Sequence, residues 1–251
     1  LTAGQIASLT AAFASSGLSF TPNTSDGGPR AVGYSWNPSA ADLDFLAAGQ
    51  TLKVSYAVSV SDGAASSAVQ PLTFTITGTN DAPVARADNQ GGSDAAYAIT
   101  EDTAGATSFN VLSNDTLDRD FGASNAVTIS TVRVTGLPGV DPAALLDPAT
   151  SGLFEITVGA DNSISVALVN SAWDKLIAYS SAFITIGYQL HGDGSETSYN
   201  TLTVRVNGTN DAPVLDATAS PVMTAVEDAG LPSGDVGTLV STLVGASAGN
   251  V

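Results

Sequence analysis

Cysteine is absent from this chain, which excludes disulfides, thiolate nucleophiles and Cys-ligated zinc together. Histidine occurs once, as His191, so neither a His-based triad nor a multi-histidine metal site can be assembled from the chain by itself. Basic residues are scarce: 7 Lys and Arg stand against 24 Asp and Glu, a formal net charge of -17 over 251 residues. That field repels phosphate backbones and anionic lipid, so nucleic acid and membrane surfaces are poor partners. It attracts divalent cations, whose hard charge prefers carboxylate and carbonyl oxygen. No apolar run approaches the roughly 18–20 residues that span a bilayer, and no basic segment followed by an apolar one opens the chain as a cleavable signal would.

What is present points to strands. Ala, Ser, Thr, Val and Gly dominate, Lys and Glu are few, and 43% of the chain is hydrophobic, a mixture that suits strands joined by Gly, Asp and Asn turns rather than long surface helices or disorder. In "LKVSYAVSV" (52–60) Leu52, Val54, Tyr56, Val58 and Val60 share one face; "LTFTIT" (72–77) answers with Leu72, Phe74 and Ile76. The pattern returns in "FITIGYQL" (183–190) and "TLTVRVN" (201–207), again a hairpin with one buried face. Further short strands are expected near 31–36, 96–100, 107–112, 127–135, 153–158 and 163–168, with helix at 2–14 and a helical turn at 141–146.

Each hairpin runs into the same seven residues: "GTNDAPV" stands at 78–84 and again at 208–214. An identical phrase at a 130-residue interval marks a repeated unit, and Asn-Asp followed by Pro83 or Pro213 suits the exit from a last strand into the next domain. The expectation is all-β: tandem antiparallel β-sandwich domains, with residues 1–82 the closing part of one repeat, 83–212 a complete repeat, and 213–251 the opening part of a third.

Catalytic arrangements find little support. No Ser or Thr sits in a Gly-x-Ser-x-Gly elbow, and the acidic residues gather at turns rather than as an isolated pair of the glycosidase kind. Trp36 and Trp173 read as core packing before sugar stacking. Asp62 and Asp193, each before a Gly, read as hairpin residues, and Asp141-Pro142 and Asp147-Pro148 as ends of a helical turn. The chain is expected not to be an enzyme.

The run "DLDFLAAGQTLKVSYAVSVSDG" followed by "LTFTITGTNDAPV" resembles the VCBS-type repeats of giant bacterial adhesins exported by type I secretion, and the frame is similar to cadherin repeats. The resemblance implies Ig-like or cadherin-like sandwiches with calcium at the joints. It nominates Asp44, Asn80, Asp81, Asp118, Asp120 and Asn125 ("DRDFGASNA", 118–126) for one joint, and Glu101 ("ITED"), Asp174, Asn210 and Asp211 for the other; Glu227 in "AVED" repeats the early Glu. Two departures stand out. The acidic residue that leads the cadherin linker is Gly78 or Gly208 here, and the charged end of the leucine-acidic motif is Phe45-Leu46. The function implied is that of a calcium-stiffened extender in a cell-surface adhesin that supports adhesion and biofilm formation, located outside the cell and contacting neighbouring repeats. The alternatives are a glycan- or protein-binding module, or a fibre subunit completed head-to-tail by strand exchange.

Overall fold

The computed structural model of the chain describes residues 1–22, 32–39, 41–61, 63–120, 122–169, 171–194, 196–211 and 227. Asp62 and, apart from Glu227, the expected third segment at 213–251 lie outside the described residues. The chain is mostly β: eleven strands and one α-helix are described, in several sheets whose pairings are antiparallel with one exception. No described helix is long and apolar enough to cross a membrane. Two compact units are present. The first comprises Leu1–Ala82 with the loops Asp118–Ser124 and Gly192–Glu196; the second comprises Pro83–Leu117, Asn125–His191 and Thr197–Val251.

The first unit opens with α1 (Ala3–Ser16). Thr2 caps it: its hydroxyl accepts from Gln5 N (3.2 Å) while Gln5 Oε1 accepts from Thr2 N (2.8 Å), a reciprocal arrangement that satisfies two of the helix's free donors. Leu9 and Phe13, four residues apart, are the buried face. Strands β1 (Leu18–Pro22) and β2 (Val32–Trp36) form one antiparallel pair, and β3 (Thr51–Val58) with β4 (Gln70–Thr77) another. β1 has no counterpart in the sequence expectation. An aromatic group holds these pieces together: Trp36 stacks on Phe74 at 4.4 Å, Trp36 Nε1 donates to Tyr56 Oη (3.0 Å), and Tyr56 Oη donates to the Phe13 carbonyl (3.1 Å).

The second unit contains a four-stranded sheet in the order β5-β11-β10-β7 and a three-stranded sheet in the order β6-β9-β8. The first combines β5 (Ala98–Thr100), β7 (Ala126–Thr135), β10 (Ser181–His191) and β11 (Thr197–Asn207); the second, β6 (Thr107–Phe109), β8 (Phe154–Val158) and β9 (Ile164–Leu168). Both sheets contribute to one core, in which Val132, Val134, Ile164, Val166, Ile184, Ile186, Leu202 and Val204 are fully buried. Residues 141–146 are not helical. Asp141 and Asp147 instead accept from the backbone N–H two residues on, each at 2.9 Å, and close turns.

The two hairpins are the same object. Thr51 faces Thr77 and Val58 faces Gln70 in the first; Ser181 faces Asn207 and Tyr188 faces Asn200 in the second, every pair displaced by the interval that separates the repeated phrases. Burial is not the same. Tyr56, Val58, Phe74 and Ile76, expected to be buried, are only half-buried, whereas their counterparts Ile186, Tyr188, Val204 and Val206 are sealed. The reason is company: β10 and β11 lie between β7 and β5, while among the described residues β3 and β4 pair only with each other.

One position breaks the equivalence in backbone chemistry. Gly49 has φ +75°, and its counterpart Tyr179 has φ +70° with its side chain fully exposed. A bulky residue there is strained, by an amount on the order of 1–3 kcal/mol, for no visible packing return. Tyr179→Gly is expected to raise the stability of the second unit by about 1 kcal/mol in chemical denaturation, after the greater flexibility of an unfolded Gly is allowed for; a loss of stability would show that the ring is held by something other than strain.

Candidate metal centre

The repeated phrase begins with glycine because no side chain fits there. A Cβ at Gly78 would fall against the Leu46 carbonyl oxygen and 2.5 Å from that of Ala47; at Gly208 it would fall against the Ile177 oxygen and 2.7 Å from that of Leu176. Main-chain bonds fix the approach: Gly78 N donates to Gln50 O (2.8 Å), and Gly208 N to Ser180 O (3.0 Å). The acidic residue of the cadherin-like pattern is therefore sterically excluded at this position. The next residues of the phrase are aimed by this contact.

In the first unit they arrive at a group of carboxylates. Oxygens of Asp118, Asp120 and Asp193 lie within 4.8 Å of one another. Asp118 and Asp120 are buried and Asp193 is exposed. Asp118 Oδ1 accepts from Asp120 N (3.0 Å) and Oδ2 from Asp193 N (3.0 Å); Asp120 Oδ2 accepts from Asp81 N (3.3 Å). The two loops and the phrase are thus laced by main-chain donors to carboxylates. Asp120, only 4% exposed, keeps Oδ1 buried without a hydrogen-bond partner. Asn80 Nδ2 and Glu196 Oε2 are buried and unpartnered in the same unit. Gly194 lets these last two approach: a Cβ there would strike Glu196 Oε2 and lie 3.2 Å from Asn80 Oδ1.

The electrostatics are those of negative charge held without sufficient counter-charge. Burial pushes the Asp81 carboxyl up, and repulsion from Asp44, Asp120 and Asp118 adds to it, against the opposing pull of Arg119. Asp193 is raised by desolvation, by its hydrogen bond to Asp118, and by the charges of Asp118 and Asp120. Asp118 moves the other way: desolvation raises it, but the N–H donors of Asp193 and Asp120 and the Asp193 side chain outweigh that and hold it below its usual value. The donor set is all oxygen, with several carboxylates and an amide, which fits a hard divalent cation.

The nominated residues divide. Asn80, Asp81, Asp118 and Asp120 meet in this region. Asp44 belongs to the same unit but is engaged by Arg119, whose guanidinium bridges Asp44 (2.9 Å) and Asp42 (2.9 Å) on an exposed surface. Asn125 belongs to the second unit, where its carbonyl accepts from Asn162 Nδ2 (2.9 Å). Asp193, read from sequence as a hairpin residue, is instead a member of the cluster, and Glu196, which sequence reasoning did not nominate, lies with Asn80 beside Gly194. The signal was the acidic loop "HGDGSE" (191–196), whose Asp-Gly was read as turn chemistry.

The second set lies in the second unit and is looser. Glu101 is buried and accepts from Thr209 N and from Thr209 Oγ1 (3.0 Å), and Asp102 also accepts from Thr209 Oγ1 (2.7 Å). Burial raises the Glu101 carboxyl and the Asp211 and Asp102 charges raise it further, while the Thr209 donors lower it. Glu101 Oε2 is buried without a partner. Asp174 and Asn210 are exposed. Among the described residues these groups do not converge as Asp118, Asp120 and Asp193 do.

His191 ends β10, with Nε2 2.8 Å from Thr128 Oγ1, and Trp173 is buried with Nε1 donating to the Leu153 carbonyl (2.8 Å). Compared with protein-family models and with curated proteins, the chain matches none.

A second acidic cluster has a different character. Tyr188 Oη lies 2.9 Å from the Arg86 carbonyl, 3.0 Å from Asp88 Oδ2 and 3.5 Å from Asp115 Oδ2. One phenol proton cannot serve three acceptors, and Asp88, 1% exposed, leaves Oδ1 unpartnered. Burial raises the Asp88 carboxyl to about 7, with the Asp115 charge adding and hydrogen bonds from Tyr188 and Tyr97 opposing. Because the folded value lies above the unfolded one, the stability linked to this proton is present in acid, below the ordinary carboxylate range, and is lost as pH rises through about 7. The second unit, followed by Trp173 fluorescence in a Trp36→Phe chain, is expected to be less stable at pH 8 than at pH 5 on account of this group. Asp88→Asn should flatten the difference; an unchanged pH profile in that variant would show that Asp88 is ionised throughout.

Proposed function

We propose that this chain is a non-enzymatic extender segment of a bacterial cell-surface adhesin, built of tandem Ig-like or cadherin-like β-sandwiches and stiffened by calcium. The observation that carries the reading is the convergence of Asp118, Asp120 and Asp193 on one point beside Asn80-Asp81, with a buried oxygen of Asp120 left unpartnered. Calcium takes six to eight oxygens at roughly 2.3–2.6 Å in adaptable geometry, whereas magnesium demands a smaller octahedral shell. A set of carboxylates and an amide drawn from three stretches of chain suits the former. The residues that would hold the ion are Asp118, Asp120 and Asp193, with Asn80, Asp81 and Glu196 within the same region.

Bound there, the cation supplies the positive charge that the site lacks and ties the phrase at 78–82 to the loops 118–124 and 192–196 of the same unit. The absence of cysteine and the net charge of -17 suit a chain that folds outside the cell, where calcium is plentiful, with the unpaired carboxylates keeping it from folding before export. The sandwich reading is supported by two sheets sharing one core in the second unit. A second reading, a binding module for glycan or protein, has one observation in its favour: Tyr179 and Ile177 stand exposed together.

Isothermal titration of the 251-residue chain with calcium is expected to show at least one site that Asp118→Asn/Asp120→Asn abolishes. Calcium at a hundred times its Kd should stabilise the first unit by about 2.7 kcal/mol, and chelation should reverse the effect. Equal stability of the parent in calcium and in chelator would refute the reading.

A further inference from the structure

We propose that Asn207–Gly208 is a deamidation site held shut by the strand pairing around it, so that Asn207 is converted to aspartate or isoaspartate only when the end of β11 opens. It is the one Asn-Gly pair in the sequence, and the first repeat has Thr77-Gly78 at the same place. The reaction consumes one water and releases ammonia. A bond forms from Gly208 N to Asn207 Cγ, the Cγ–Nδ2 bond breaks, and ammonia leaves with the proton of the attacking N–H. Water then opens the cyclic imide. Cleavage of the bond to Cγ leaves aspartate; cleavage of the bond to the main-chain carbonyl carbon leaves isoaspartate, with one more carbon in the backbone. Glycine hinders the attack least, because it has no Cβ beside the nucleophile and turns most freely.

In the folded second unit the nucleophile and the amide are both held. Gly208 N donates to the Ser180 carbonyl (3.0 Å), which commits the proton that must leave. Asn207 faces Ser181 across the hairpin, and its Oδ1 accepts from Ser181 Oγ (3.0 Å), which fixes the side chain toward β10. On the other side, the Asn207 carbonyl accepts from Glu101 N (3.1 Å), next to β5. The backbone is not free to bring nitrogen and amide carbon together, because Gly208 lies against the carbonyls of Leu176 and Ile177. Three hydrogen bonds and one steric contact must be released, so the rate follows the population of the open form.

The product strikes the contact that seats the hairpin. An isoaspartate at 207 pushes Gly208 one carbon along the chain, out of register with Ser180 and off the Leu176–Ile177 carbonyls. An aspartate there adds negative charge to the residue whose carbonyl takes Glu101 N, and the Glu101 carboxyl is already raised by the charges of Asp211 and Asp102. Ammonia lost to solution does not return. A chain that lingers open is therefore marked chemically, and its isoaspartate form no longer fits the native hairpin. The first repeat, with threonine before its glycine, escapes this mark.

The test uses the 251-residue chain in mildly alkaline buffer, native and in enough urea to unfold it, with each asparagine followed by peptide mass spectrometry. In urea Asn207 is expected to react at least tenfold faster than any other asparagine. In the native chain it should react at least tenfold more slowly than in urea. Ser181→Ala, which frees the side chain but leaves Gly208 N on Ser180, should speed the native reaction by more than its loss of stability accounts for. Chains modified in urea and returned to buffer should regain native Trp173 fluorescence, in a Trp36→Phe background, when they carry aspartate at 207 and fail to when they carry isoaspartate. Equal rates in buffer and urea, an Asn207 no faster than other asparagines in urea, or isoaspartate chains that refold with the stability of the parent would each overturn the proposal.

Discussion

The contact on which the structure turns is a backbone approach that only glycine permits. At Gly78 and again at Gly208 the main chain presses against two successive carbonyls, Leu46–Ala47 and Leu176–Ile177, at distances where a Cβ would have to displace backbone. Displacing backbone costs far more than moving the end of a side chain. The hairpin register, the seating of Leu46 and Leu176 in their units, and the direction in which Thr-Asn-Asp leaves the sheet are all set there. The repeated phrase is accordingly a steric device first and a turn second.

What the device delivers differs between the two copies. After Gly78 it carries Asn80 and Asp81 to Asp118, Asp120 and Asp193, where main-chain donors hold carboxylates close enough to repel. After Gly208 it carries Thr209 to Glu101, where one carboxylate oxygen takes both donors of Thr209 and the other stays buried without a partner. Among the described residues three carboxylates converge in the first arrangement and not in the second. The same contrast runs through the cores: a hairpin flanked on both sides buries its inner face, and the equivalent hairpin, which has no flanking strand among the described residues, does not.

Much of the fold was legible because period-two alternation leaves little choice of face. Val54, Tyr56, Phe74 and Ile76 point inward as read, and β7 to β11 fall close to where short alternating runs stand. Burial depth was not legible, since it depends on neighbours that periodicity does not count. β1 escaped because "LSFTP" is short and ends in Pro, a residue that weakens a strand reading. The resemblance nominated Asp118, Asp120, Asn80 and Asp81, and the structure places Asp118 and Asp120 together with Asp81 N donating to Asp120. Asp193 was not nominated, because Asp-Gly is good turn chemistry and sequence does not say which turns fold towards each other. Asp44, nominated as a ligand by resemblance, is ion-paired with Arg119, which is adjacent in sequence to both central carboxylates.

Asp118, Asp120 and Asp193 are proposed to form a cation site rather than a group of carboxylates quieted by protons. The most direct measurement is an anomalous difference map from crystals of the 251-residue chain grown with terbium as a calcium substitute. A peak within bonding distance of all three carboxylates and of an oxygen from Asn80 or Asp81 is expected. Ordered water alone at that point, with terbium bound elsewhere on the same molecule, would contradict it.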